Sequence, residues 1–252
     1  MFFAILLSLM AAVRPLYADS FWQKLTWSTE DGVEMVGLYY PVHRPGAYTW
    51  VLLHGLGSNK EEWDAFARQA ASEGYGVFIY DARGHNESSH LKNGGTVSYK
   101  DWQAAGPGSP WSLMPSDLAS AVQMLEKKFK LSDKRIAVGG ASLGANVALV
   151  YASDHASVPA LILLSPGIEY AGIQAPAAFY AYRGRPVFIA ASPDDAYAYS
   201  SARRLADLAP GPACRMVEGK SGHGVKMLDA EFTKTLLDWM KGLDGNRDRR
   251  PS

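Results

Sequence analysis

Gly140-Ala141-Ser142-Leu143-Gly144 sets one serine two residues from a glycine on either side, between an apolar run and an alanine-rich one. Glycines so placed remove side chains that would collide across a tight bend. In a strand-turn-helix setting the pattern G-x-S-x-G pushes the serine Oγ out at the carboxyl edge of a sheet and brings the next N–H beside it at a helix start. Ser142 is therefore a candidate nucleophile and the Leu143 N–H a candidate donor to a developing oxyanion. The plain alternative is a tight turn whose serine caps a helix. A dinucleotide-binding loop is excluded, because Ser142 stands where the middle glycine must let backbone approach a pyrophosphate. No phosphate-loop lysine follows either.

A serine hydroxyl is a poor nucleophile at neutral pH and needs a base, which in turn needs a group to orient it. The chain has six histidines. His223, in "GKSGHGVKML", lies after the last strand-like run and before the last helical one, flanked by Gly222 and Gly224. His43 and His155 fall in turn or helix-end settings, and His85 and His90 in a long loop. An acid between serine and histidine in chain order is supplied by "PVFIAASPDDAYAYSS", where Asp194 and Asp195 stand just past a buried run. Adjacent acids are otherwise a solvated turn. "LLHGLGSNKEEW" offers the second oxyanion donor, the Leu56 N–H, because glycines on either side let the backbone turn its amides toward the site. His54 reads as a brace of that turn rather than a base.

These pieces need a sheet to bring them to one edge. "FWQKLTW" and "VEMVGLYYPV" read as a hairpin joined at Glu30-Asp31-Gly32, since Asp-Gly favours a tight turn. "TWVLLHG", "GVFIYDA", "RIAVGGAS", "ALILLSPG", "PVFIAAS" and "CRMVEG" read as six parallel strands buried on both faces. Leu118, Val122, Leu125 and Phe129 recur at helical spacing after a cap at Ser116, and Phe232, Leu236 and Met240 do so before a stop at Gly242. The stretch from Gly84 to Pro115, rich in Gly, Ser, Pro and aromatics, is long enough for a loop to carry function.

The 252 residues suit one α/β domain, and 25 basic against 25 acidic residues leave no electrostatic case for nucleic acid or an anionic membrane surface. A single cysteine, Cys214, permits no intrachain disulfide and no multi-thiolate metal site. His85 and His90 are five apart and lack the H-E-x-x-H order, so no metal is expected there. The apolar run Met1 to Val13 is shorter than the roughly 18 residues of a spanning helix and suits a secretory signal core. Residues 1–18 are thus expected to be a signal peptide cleaved after Leu16-Tyr17-Ala18, with no Lys or Arg before the apolar run and an uncleaved anchor or a buried first helix as the alternatives. The expectation is a periplasmic or secreted protein without stable membrane insertion, its domain spanning 19–242 and a polar tail 243–252.

Taken together, the chain from about Phe21 to Gly242 resembles the α/β-hydrolase superfamily. The resemblance rests on His54-Gly55 with Gly57, on "YDARGHNES", on "GASLGA", on the strand-end aspartate and on Gly222-His223-Gly224. It implies an α/β-hydrolase fold: a mostly parallel, eight-stranded sheet with helices on both faces. It also implies a catalytic triad of Ser142, Asp194 and His223 with an oxyanion hole at Leu56 and Leu143, no cofactor and no metal. Asp194 is chosen over Asp195 because it is the first acid past the edge and keeps a G-x-x-D-like spacing from Ala191, glycine in many relatives. Few residues separate "LLSPG" from "RPVFIA", room for one short helix around Pro176 to Tyr182, so no large cap domain is expected. The implied activity is hydrolysis of a small-molecule or acyl-ester substrate through an acyl-enzyme. A thioesterase or peptidase on the same triad, or a non-catalytic binding protein on the same fold, are the alternatives. Tyr99, Trp102, Trp111, Tyr170, Phe179 and Tyr180 either line an acyl pocket or simply pack.

Overall fold

Alternate side chains of a strand go to opposite faces of its sheet, and here both faces are covered. β1 (Gln23–Ser28) and β2 (Val33–Tyr40) form the opening antiparallel hairpin. They are followed by β3 (Thr49–Leu53), α1 (Asp64–Ser72), β4 (Gly76–Tyr80), the short β5 (His90–Leu91), α2 (Met114–Phe129), β6 (Ile136–Ala141) and α3 (Leu143–Asp154). Next come β7 (Leu161–Leu164), a small hairpin of β8 (Glu169–Tyr170) and β9 (Ile173–Gln174), and α4 (Pro176–Tyr182). β10 (Val187–Ala191), α5 (Ala196–Leu208), β11 (Cys214–Glu218) and α6 (Ala230–Gly245) complete the chain. The computed structural model describes residues 21–245 except 104, 107, 183, 209 and 210. The expected signal peptide, 1–18, lies outside the described residues.

Eight strands run in the order β1-β2-β4-β3-β6-β7-β10-β11, with β5 added beside β2. From β4 to β11 the pairings are parallel, while β1–β2 and β2–β4 are antiparallel. Val51, Leu53, Phe78, Tyr80 and Ile189 enter one core with α2, α3, α4 and α5. Their neighbours Trp50, Leu52, Val77, Ile79 and Phe188 enter the other with α1 and α6. Full burial of one such side chain stabilises by about 1.5–3 kcal/mol. Among the described residues no helix is long and apolar enough to cross a membrane.

Three local expectations are corrected. β11 is not buried on both faces, because it is the sheet's edge and only one neighbouring strand covers it. α2 begins at Met114 rather than behind a cap at Ser116. A 3-10 turn at Pro110–Leu113 feeds straight into it, and Pro115 sits in the first turn, where its missing N–H costs nothing. α6 does not stop at Gly242 but runs to Gly245, because Asp244 accepts from Arg44 at 2.7 Å and from the Tyr75 hydroxyl at 3.0 Å. The expected tail therefore loses 243–245 to the helix, and 246–252 lie outside the described residues.

The strand order reverses at β3 and β6. β3 leads to β4 on one side, and the chain returns to β6 on the other. Loops leaving the carboxyl ends of such a pair diverge and open a crevice between them. The register sets Leu53 beside Gly140, so the turn after β3 and Ser142 meet at that crevice.

Candidate active site

Ser142 occupies a backbone conformation, φ 54° and ψ −122°, that non-glycine residues rarely adopt. Its strain is held by close packing of the two glycines. A Cβ on Gly140 would come within 2.3 Å of the Gly144 backbone, and one on Gly144 within 2.5 Å of the His54 carbonyl. The Ser142 N–H donates to the Leu164 carbonyl at 2.8 Å, which ties the bend to β7. The residue is only 7% exposed, yet it lines a cleft together with His223.

His223 follows β11 in a loop whose geometry depends on two serines. Ser165 Oγ accepts the Gly224 N–H at 2.8 Å, and Ser192 Oγ lies 2.5 Å from the Gly222 carbonyl. The carboxylate on the ring is Asp195: its Oδ2 lies 2.5 Å from His223 Nδ1. The expected Asp194 is elsewhere. It accepts the Gly222 N–H at 3.1 Å and the Ser192 hydroxyl at 2.5 Å, and these hydrogen bonds hold its carboxyl below the usual carboxylate range. The reversal has a local cause. After β10 the chain does not stay extended; the Asp195 N–H donates to the Ser192 carbonyl at 3.0 Å, closing a turn that swings the second aspartate inward. Asp195 then opens α5, its carbonyl accepting from Tyr199 at 2.8 Å, so its side chain sits at a helix N-terminus that favours negative charge. One aspartate holds the ring, and its neighbour holds the backbone before the ring.

The turn after β3 lies against the serine: a Cβ on Gly55 would be 3.4 Å from Ser142 Cβ. Among the described residues the Leu56 N–H makes no hydrogen bond, and the Leu143 N–H is an unpaired first-turn amide of α3. His54 and His85 are spent on holding this region. His54 Nδ1–H donates to the Gly55 carbonyl at 2.7 Å and its Nε2 accepts the Ala82 N–H at 2.9 Å. His85 Nδ1–H donates to the Arg83 carbonyl at 2.9 Å, its Nε2 accepts the Gly57 N–H at 3.2 Å, and its ring stacks on Tyr99 at 3.9 Å. Each ring is thereby fixed as one neutral tautomer, and burial lowers both pKa values, that of His54 to about 3. The turn beginning at Asp81 is pinned in turn by Lys60 Nζ on Asp81 at 2.8 Å and by the Arg83 fork on Asp117 at 2.5 Å.

The cleft measures about 720 Å³. Leu56, Phe66, Val225 and Leu228 give it apolar walls, with Glu62 and Lys226 also on its lining. None of the six aromatics considered as acyl-pocket residues lines it. Trp111 and Phe179 are buried in the core, and Trp102 packs edge-on against Trp111 at 4.6 Å. Tyr170 stands apart from them, because the Ser142 hydroxyl is a hydrogen-bond partner of its phenol, whose pKa burial pushes up to about 12. Sequence reading missed Glu62, Ser165 and Ser192. Ser165 and Ser192 act on backbone groups brought to them only by the sheet, and Glu62 acts on an amide of its own loop that no side chain marks.

A family described as having the alpha/beta hydrolase fold matches residues 49–196. No curated protein matches the chain. Among solved structures, DcsB in complex with its substrate analogue superposes with a TM-score of 0.72 at 16% identity, over 89% of this chain and 98% of that one. The esterase Pf2001 of Pyrococcus furiosus gives 0.69 at 19% identity, over 88% and 92%. A dienelactone hydrolase from Anabaena variabilis ATCC 29413 gives 0.63 at 14% identity, over 88% and 98%. At such identities the likeness is one of fold.

Proposed function

This chain belongs to the α/β-hydrolase family, and we propose that within it the protein is a serine hydrolase that cleaves carboxylic esters through Ser142, His223 and Asp195. The observation that carries the reading is the 2.5 Å contact of Asp195 with His223 Nδ1 at a cleft that also holds the strained Ser142. A carboxylate on Nδ1 fixes the tautomer and leaves Nε2 to accept the serine proton. Ser142 Oγ bonds to the ester carbonyl carbon as its proton passes to His223, and the oxyanion is taken by the Leu56 and Leu143 N–H groups. His223 then protonates the leaving alkoxide as the C–O bond breaks. Water repeats the sequence on the acyl-enzyme, with its proton moving through His223 and back to Ser142. The fold likeness to an esterase and a dienelactone hydrolase agrees with an ester substrate. The largely apolar cleft walls agree with an acyl or alkyl group.

Mixing the protein with excess short-chain aryl ester should give a burst of phenol and an acyl group on the peptide bearing Ser142. Turnover with the acyl group on another residue would overturn the assignment. Export belongs to the same proposal, and N-terminal sequencing of protein from its native host should begin at Asp19; an intact Met1 in a soluble cytosolic fraction would refute it.

A further inference from the structure

The turn after β3 alternates anchored and unanchored amides. The Gly55 N–H donates to Glu62 Oε1 at 2.9 Å, and the Gly57 N–H donates to His85 Nε2 at 3.2 Å. Between them the Leu56 N–H has no partner among the described residues, and the Leu56 side chain is 52% exposed and anchors nothing. The Gly55 carbonyl is also taken, by His54 Nδ1–H and by the Ser58 N–H at 3.1 Å. The peptide planes on either side of Leu56 are thus clamped from two directions. His85 holds the one after Leu56 from the loop after β4, His54 and Ser58 hold the one before it through the Gly55 carbonyl, and Glu62, from the 3-10 turn Lys60–Trp63, fixes the next plane back through the Gly55 N–H.

Glu62 has a further property that His85 lacks: it lines the catalytic cleft and is half-buried there. The Ser58 hydroxyl donates to it as well, and burial holds its carboxyl above the usual range. A carboxylate next to a developing oxyanion is electrostatically unfavourable. Its engagement by Gly55 and Ser58 spends it on the loop rather than on substrate. We infer that Glu62 is a positioning residue for the oxyanion hole, holding Gly55 so that the Leu56 N–H is aimed at the carbonyl oxygen bound over Ser142. This rests on the serine-hydrolase reading. It assigns to Glu62 an effect on turnover, through a donor it does not itself supply.

The test is steady-state hydrolysis of a short-chain aryl ester by wild type, Glu62→Ala, Glu62→Gln and Glu62→Asp, with folding followed by circular dichroism and thermal melting. Glu62→Ala should lose about ten- to hundredfold in kcat, less than the loss of a whole oxyanion donor, with KM within about threefold. Glu62→Gln should stay within about threefold of wild type, because its amide oxygen still accepts from Gly55. Glu62→Asp, one methylene short, should follow the alanine variant. Full kcat in Glu62→Ala, a change confined to KM, or a glutamine variant as impaired as alanine would overturn the inference; the last would make charge, felt at His223, the operative quantity. Should the alanine variant not fold, an aspartate variant at wild-type kcat is equally fatal. A wild type that turns over no ester overturns the hydrolase reading as well, whereas an active wild type with unaffected variants overturns this inference alone.

Discussion

His54 and His85 on one side of the crevice and His223 on the other are the same side chain put to opposite uses. The first two are buried, and both nitrogens of each ring bond to backbone groups, so neither ring has a nitrogen left for a proton in flight. His223 is 45% exposed at its side chain, meets a carboxylate through Nδ1 and lines the cleft. What separates these braces from the proposed base is therefore which partners claim the ring, and not its distance from the serine along the chain. Two neighbouring aspartates repeat the lesson: Asp195 is claimed by a ring and Asp194 by a peptide N–H.

The largest effect should come from the working side. Ser142→Ala and His223→Ala should each remove nearly all ester hydrolysis, and the double variant should be little worse, because residues acting as one unit do not add. Losses that multiply would dissolve the unit. Asp195→Asn should follow, with a fall in kcat approaching about 10⁴-fold from the wrong histidine tautomer. If Asp194→Asn were instead the more damaging of the two, the ring contact would not be the operative one.

The bracing side should show itself in stability. A buried His54 stays neutral down to about pH 3, while in the unfolded chain it takes up a proton near pH 6.5. The unfolded state therefore binds more protons between those values. The stability contributed by the neutral ring is complete above about pH 6.5 and is lost as pH falls toward 3, by an amount on the order of a few kcal/mol. His54→Asn, which cannot titrate, should flatten that limb in thermal melts across the same range. An unchanged slope would mean that the ring is not the group responsible. Asp194→Asn should have the smallest effect. Its amide oxygen still accepts from Gly222, so kcat should fall by no more than about tenfold.

The fold was legible because buried strands and amphipathic helices write their period into the sequence, and G-x-S-x-G writes a backbone conformation. Gly140 and Gly144 meet across the bend for the steric reason the pattern suggests. Which aspartate meets the His223 ring is not legible, because an extended segment and a turn leave the same residues in the same order, and only the Asp195-to-Ser192 hydrogen bond decides which carboxylate turns inward. Ser116 and Gly242 were misread as boundaries for a similar reason. An upstream 3-10 turn and the Asp244 contacts with Arg44 and Tyr75 extend α2 and α6 past their local signals. Glu62 was invisible, since its Gly55 partner is an amide seven positions earlier with no side chain to mark it.

The measurement closest to the central claim is labelling by a fluorophosphonate, which reports a serine made nucleophilic by its base. The folded wild type should form one covalent adduct, mapped to Ser142; Ser142→Ala should form none, and His223→Ala should react far more slowly. An adduct that persists in Ser142→Ala, or a folded wild type that never reacts, would contradict the account.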